Sequence, residues 1–278
     1  METQHMEIKA RGLTFDVYQG GPAGGQPVLL LHGFPQDHRE FDLILPRLHE
    51  AGLRTYTLDQ RGYSPGARPA AVAEYRLPEP TADAVAVLDA LGVESAHVIG
   101  HDWGALVAWL LAAHHAPRVR TLTSVSIPHP RAMRLALRVR PTQRVRFAYM
   151  AVFRSLIAER LLLAGDGATL KQMMRPISSR AAIYADAMRE PGRLTAALNW
   201  YRALAGEQLT SVGVVNVPTT LVWGDKDPVV GVTAALRTTD WVEADYQLVA
   251  MHGVGHWVPE EAPAALAKAA LARIGADV

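Results

Sequence analysis

Three residues spaced along this chain could form a set for covalent catalysis: Asp102, Asp227 and His256. Asp102 lies in Gly100-His101-Asp102-Trp103-Gly104, after the apolar run Ala96–Ile99 and before a helix-compatible stretch. A strand, a sharp turn and a helix, with glycines flanking the central residue, present a reactive side chain at the tip of a bend. The helix start favours negative charge there. From this string alone Asp102 also reads as an ordinary helix N-cap. As a nucleophile toward a saturated carbon, a carboxylate forms an ester that activated water can open, whereas a serine would leave an ether. Aspartate therefore points to alkyl transfer from an epoxide or alkyl halide, not to acyl chemistry.

His256, in Gly253-Val254-Gly255-His256-Trp257, follows Gly224-Asp225-Lys226-Asp227-Pro228. The order nucleophile, acid, histidine suits a base that deprotonates water while the acid fixes its tautomer. Asp227 is favoured over Asp225 as that acid, although its place before Pro228 also suits an N-cap. Leu31-His32-Gly33-Phe34-Pro35 follows an apolar strand, and the backbone N–H groups of Phe34 and Trp103 are assigned as the oxyanion donors. His32 reads as a buried brace for that loop. Gly62-Tyr63-Ser64-Pro65-Gly66 also has a glycine-flanked serine. It is rejected as a nucleophile turn because Pro65 has no N–H to donate to an oxyanion, which makes Ser64 a loop residue.

These groups need elements to position them. Ile8–Arg11 and Leu13–Tyr18 read as edge strands. Val28–Leu31, Leu53–Leu58, Ala96–Ile99, Val119–Val125, Thr219–Trp223 and Tyr246–Ala250 read as buried strands. Helical spacing falls between them at Phe41–Glu50, Pro80–Leu91, Trp103–His115, Val232–Arg237 and Pro259–Ile274. The alternation predicts an α/β fold with a mostly parallel central sheet and helices on both faces. It breaks between Pro128 and Val212, where strand signals vanish and stretches such as Leu156–Ala164 and Leu194–Leu204 read as helix. The expected organisation is a core over residues 1–128, an inserted helical cap over 129–213, and the core resuming over 214–278.

Composition narrows the function classes. The chain of 278 residues has 28 Lys+Arg against 27 Asp+Glu, and no cysteine. A net charge of +1 gives no general reason to bind nucleic acid or an anionic membrane. Zero Cys excludes a disulfide framework, a thiol nucleophile and Cys-ligated metal. The polar Met1–Glu7 segment has no apolar stretch of the signal-peptide type, and no run approaches a membrane span, so a cytoplasmic protein is expected. Residues 103–158 hold nine Arg and no Asp or Glu. That bias fits a solvated surface, or alternatively steering of an anionic or polar substrate. No residue pattern decides whether the chain forms a homodimer.

Taken together, the chain resembles the epoxide hydrolases of the α/β-hydrolase fold over nearly its whole length. The matching pieces are His32-Gly33-Phe34-Pro35, Asp59-Gln60-Arg61-Gly62-Tyr63, Gly100-His101-Asp102-Trp103-Gly104-Ala105, Asp227 and Gly255-His256-Trp257. The cap adds Leu198-Asn199-Trp200-Tyr201-Arg202. The resemblance implies that Tyr201, with Tyr149 as second donor, hydrogen-bonds the epoxide oxygen. It implies a pocket bounded by Phe34, Trp103, Trp200 and Trp257, a small epoxide and water as the reacting partners, and no metal or organic cofactor. Ser64-Pro65-Gly66-Ala67 departs from the family's usual Gly-x-Ser. A haloalkane-type dehalogenase, with Trp103 and either Phe34's position or Trp200 clamping the halide, is the alternative reading. A non-catalytic ligand-binding protein on the same fold is another.

Overall fold

The computed structural model describes residues 3–276; Met1 and Glu2 of the N-terminal stretch lie outside them. Eight strands form one sheet: β1 (Gln4–Ala10), β2 (Leu13–Gly20), β3 (Gln26–Leu31), β4 (Leu53–Leu58), β5 (Ala96–His101), β6 (Val119–Val125), β7 (Thr219–Gly224) and β8 (Tyr246–Met251). Their spatial order is β1-β2-β4-β3-β5-β6-β7-β8. β2 pairs antiparallel with both β1 and β4, and every other pairing is parallel. The first edge strand begins at Gln4, earlier than its apolar pattern suggests, because backbone pairing with Gln19 continues past the last buried side chain.

Inner parallel strands such as β3 and β5 are buried because both sheet faces are covered, whereas β8, expected to be buried, is an edge strand with most of its residues partly exposed. Along β3, Val28 and Leu30 pack into one cluster with Leu48, Ile99 and Leu266, while Leu29 and Leu31 pack into the other with Val98, Trp109 and Leu122. The period-two alternation of a strand thus feeds two cores.

Before β6 the helices are α1 (Leu45–Glu50), α2 (Pro78–Ala90) and α3 (Trp103–His114). Seven follow between β6 and β7: α4 (Pro130–Val139), α5 (Pro141–Arg146), α6 (Tyr149–Arg154), α7 (Ala158–Met173), α8 (Ser178–Ala187), α9 (Arg193–Ala203) and α10 (Gly206–Ser211). The remainder are α11 (Val232–Arg237), α12 (Val258–Glu261) and α13 (Pro263–Ile274). Two expected helices are broken by proline. Phe41–Glu50 resolves into a 3-10 turn ending at Phe41 and α1, which has a proline in its first turn; Pro259–Ile274 resolves into α12 and α13, divided before Pro263. A proline donates no N–H to the preceding turn, so each helix restarts with a proline in its first turn. The stretch expected to be helical over Leu156–Ala164 starts at Ala158, and Ala164–Gly167 leave helical geometry before α7 resumes.

β3 has β4 on one side and β5 on the other, so the strand order reverses there. Loops leaving the carboxyl ends of β3 and β5 diverge at such a point and leave a crevice for a ligand. Among the described residues no helix is long and apolar enough to cross a membrane.

Candidate active site

Asp102 leaves β5 at that crevice and precedes the first residue of α3. Its backbone sits at φ +48°, ψ −118°, a conformation that L residues rarely adopt. Two close approaches hold the turn. A Cβ on Gly104 would overlap the carbonyl of Leu31, so α3 packs directly on β3 only because that residue is glycine. A Cβ on Gly33 would overlap the Cβ of Asp102, so the loop after β3 reaches the carboxylate for the same reason. The Asp102 side chain makes no N-cap hydrogen bond to α3, which removes the helix-cap explanation for an aspartate here.

That carboxylate is held from two sides. The Phe34 N–H donates to Oδ1 at 2.9 Å, and His256 Nε2 lies 3.5 Å from Oδ2. Trp103 opens α3, so its N–H is among the leading donors that have no intrahelical acceptor. His256 follows β8 and donates from Nδ1 to Asp227 Oδ2 at 2.8 Å. The other Asp227 oxygen accepts the N–H groups of Val229 (2.6 Å) and Val230 (2.9 Å). This leaves Nε2 aimed at Asp102. Asp225 points away, accepting from Gly253 N and pairing with His252 at the surface.

The electrostatics follow from this burial. The His256 and Asp227 side chains are 4 % and 0 % exposed. Burial opposes charge on His256, but Asp227 and Asp102 together outweigh it and push the imidazole up to about 10. Burial likewise opposes charge on Asp102, yet the hydrogen bond and charge of His256 bring its carboxyl below the usual range. Burial, with the Asp102 charge second, raises the phenols of Tyr201 and Tyr149, so both keep their protons.

A cavity of about 280 Å3 opens between the core loops and the helices that follow β6. The loops supply Phe34, Asp102, His256 and Trp257, and α6 and α9 supply Tyr149 and Tyr201. The Tyr201 ring is clamped edge-on by Trp103 and Phe153, each 4.9 Å away between centroids, and by Phe34 at 5.3 Å. Tyr149 is 6.3 Å from Tyr201 across the same space. Trp200 does not face the cavity as expected. It is buried, and its indole N–H donates to the Arg61 carbonyl at 2.9 Å, tying α9 to the loop after β4. Trp103 does not line the cavity either; its ring packs against Tyr201 and Trp200, and its indole N–H has no protein acceptor.

Sequence reading misses Arg146, Phe153, Met173, Pro228 and Val229, which complete the wall. Spacing holds part of the signal, since Phe153 lies one helical turn from Tyr149 and Pro228 and Val229 directly follow Asp227. It also misses the support behind His256, whose carbonyl accepts from Ser126 Oγ (2.7 Å) and His101 Nε2 (2.9 Å). His101 Nδ1 meets Glu40 Oε2 at 3.1 Å. His32 is fully buried, donating to the Gly33 carbonyl and accepting from Gln60 N, and Ser64 Oγ donates to the Asp59 carbonyl inside its loop.

Among the described residues one trio, Asp37, His38 and Asp59, has the spacing of metal ligands. Asp37 is already neutralised by Arg39 (2.6 Å) and Arg193 (2.7 Å), and Asp59 accepts the backbone N–H of His38 and contacts its ring at 2.9 Å, so the trio reads as structural.

Comparison with known proteins adds independent information. A family model described as alpha/beta hydrolase fold matches residues 26–263. The AB hydrolase superfamily protein YfhM of Bacillus subtilis is 32% identical over 92% of this chain and 93% of its own length. Epoxide hydrolase A of Mycobacterium tuberculosis is 31% identical over 95% of both chains. Among solved structures, Epoxide Hydrolase A from Mycobacterium thermoresistibile superimposes with a TM-score of 0.87 at 26% identity, covering 99% of both chains.

Proposed function

This chain belongs to the alpha/beta hydrolase fold family, and from that premise we propose that it hydrolyses an epoxide to a vicinal diol through an ester on Asp102. The observation that carries the proposal is one cavity bordered by a carboxylate beside a carboxylate-oriented imidazole and by two protonated phenols. Likeness over nearly the whole chain to proteins named epoxide hydrolases supports it. In this reading residues 129–213 are a cap over a core formed by 1–128 and 214–278.

Tyr201 and Tyr149 hold the epoxide oxygen. An Asp102 oxygen attacks a ring carbon from the side opposite the breaking C–O bond, and the released oxygen takes a phenol proton. His256 carries a proton in the free site because two carboxylates flank it. Esterification neutralises one of them, so that proton moves to the tyrosinate and leaves the imidazole free as a base. Water then loses a proton to His256, held in its tautomer by Asp227, and adds to the carboxyl carbon. The N–H groups of Phe34 and Trp103 stabilise the oxyanion. Collapse expels the diol alkoxide, which takes the proton of the re-formed carboxylic acid, and the site returns to ionised Asp102 and protonated His256.

A dehalogenase would need a second halide donor beside Trp103. Trp200, the candidate in the cap, spends its N–H on Arg61, and Phe34 offers no side-chain donor. A non-catalytic receptor would have no use for a complete acid–histidine–nucleophile set.

A single turnover in heavy-oxygen water tests the ester step. The expected result is unlabelled first-cycle diol and label in Asp102. Labelled first-cycle diol with unlabelled Asp102 would refute it.

A further inference from the structure

We propose that Arg146 selects epoxides carrying a carboxylate, an inference that rests on the epoxide-hydrolase reading above. Arg146 ends α5 and borders the catalytic cavity, where among the described residues it is the one permanent cation. Its Nη1 donates to the backbone carbonyl of Asp227, and no carboxylate of the described residues lies within ion-pair distance. Three other arginines of these helices are committed elsewhere. Arg154 holds the Tyr201 and Leu204 carbonyls, Arg202 pairs with Glu159, and Arg144 caps the end of α4.

The guanidinium is also held in place before any ligand arrives. Buried Gln143, one turn earlier on α5, donates to the Val229 carbonyl (2.7 Å) and accepts from Gly231 N (2.9 Å). Two residues of α5 thus grip the loop that carries Asp227, and little side-chain freedom remains to be lost on binding. On its far side Arg146 borders a second hollow of about 360 Å3, shared with Arg140, Thr142 and Thr233. Apart from the catalytic groups, the wall that Arg146 shares is largely apolar, with Phe153, Pro228, Val229 and Met173 among its residues.

This arrangement fits a molecule with an epoxide at one end, an apolar body, and a planar anion at the other. Asp102 is ionised, so a second negative charge enters the cavity only with a compensating cation, and a guanidinium matches a carboxylate by charge and by its forked donors. The residues of α4 to α6 carry arginines and no acid, so the charge of this stretch favours an anion.

The test compares a medium-chain carboxylate bearing a terminal epoxide with its primary amide, which is neutral and nearly isosteric. Wild-type enzyme is expected to favour the carboxylate in kcat/KM by about ten- to hundredfold, chiefly through KM, as for a hydrogen-bonded charge pair. Arg146→Met should bring the ratio to about one, and Arg146→Lys should retain part of it. Because each variant is judged by its own ratio, partial loss of folded enzyme cancels. Equal wild-type rates for acid and amide would overturn the proposal, as would an Arg146→Met variant that slows both alike, which is the mark of a strut. Calorimetric binding of the acid and amide forms of the diol separates this from the activity itself. If no epoxide is turned over, the enzymatic reading fails, while a binding preference lost in Arg146→Met still supports the site and its absence still refutes it.

Discussion

Replacing Asp227 by Asn should stop the reaction halfway. One Asp227 oxygen accepts two backbone N–H groups, from Val229 at 2.6 Å and Val230 at 2.9 Å, and the other accepts His256 Nδ1–H. An amide has one oxygen and one NH2 in their place. Turning the NH2 toward Val229 and Val230 would set donors against donors and forfeit two buried hydrogen bonds, at about 1–3 kcal/mol each. The amide oxygen must therefore stay there, and the NH2 faces His256. The imidazole then accepts at Nδ1 and carries its proton on Nε2, the nitrogen that should take a proton from water. In a serine protease the equivalent tautomer error costs about 10^4 in kcat. The expected loss here is about 10^3–10^4-fold in the hydrolytic step, with a much smaller change in ring opening, which does not use Nε2 as a base. Asp227→Asn mixed with an epoxide that wild type consumes should accumulate enzyme one substrate mass heavier, with the mass on Asp102 after peptide mapping. Wild-type steady-state turnover, or low turnover with no adduct, would refute the tautomer argument.

Tyr201→Phe removes one of two donors to the developing oxyanion and should slow single-turnover ester formation by about 10^2-fold or more; an unchanged rate removes this phenol from the mechanism. His256 is raised from 6.5 to about 10, so the stability from its ion pairs is complete below pH 6.5 and is lost as pH rises through about 10. Imidazole NMR should show that late titration in the free protein and an earlier one in Asp102→Asn, and identical curves would contradict the two-carboxylate account. Glu40 is forced up by burial and by Glu260, and burial brings His101 down to about 4, which predicts that Glu40 is a neutral acid donating to His101 Nδ1, with the His101 Nε2–H supporting the His256 carbonyl. Glu40→Gln should then keep near-wild-type activity and Tm while Glu40→Leu loses both, and a damaging Gln variant would mean that the carboxylate is charged.

Much of the molecule is legible along the chain because its cause is local. Alternation of short apolar runs with helical spacing encodes a sheet covered on both faces, and the strand assignments from Val28 to Tyr246 follow from it. The glycines around Asp102 announce a turn that a side chain would block, as the Gly104 contact with Leu31 bears out. Helix interruptions at Pro46 and Pro263 were available in the same way, since proline removes a donor wherever it stands, yet apolar spacing runs through both and conceals them.

What tertiary structure decided is which side chains share a space. Asp227 and Asp225 have nearly the same sequence context, and only the path of the loop after β7 sends one to His256 and the other to His252. Trp200 and Tyr201 are neighbours on α9, and the rotation of that helix turns the phenol into the cavity and the indole onto Arg61. Arg146 looks like any member of a basic stretch until α5 is docked on the acid loop. Period and steric need are properties of consecutive residues, so composition and order carry them. Convergence of groups from four loops and two helices, with Arg146 from a third, depends on how elements pack against one another, and no local pattern records that.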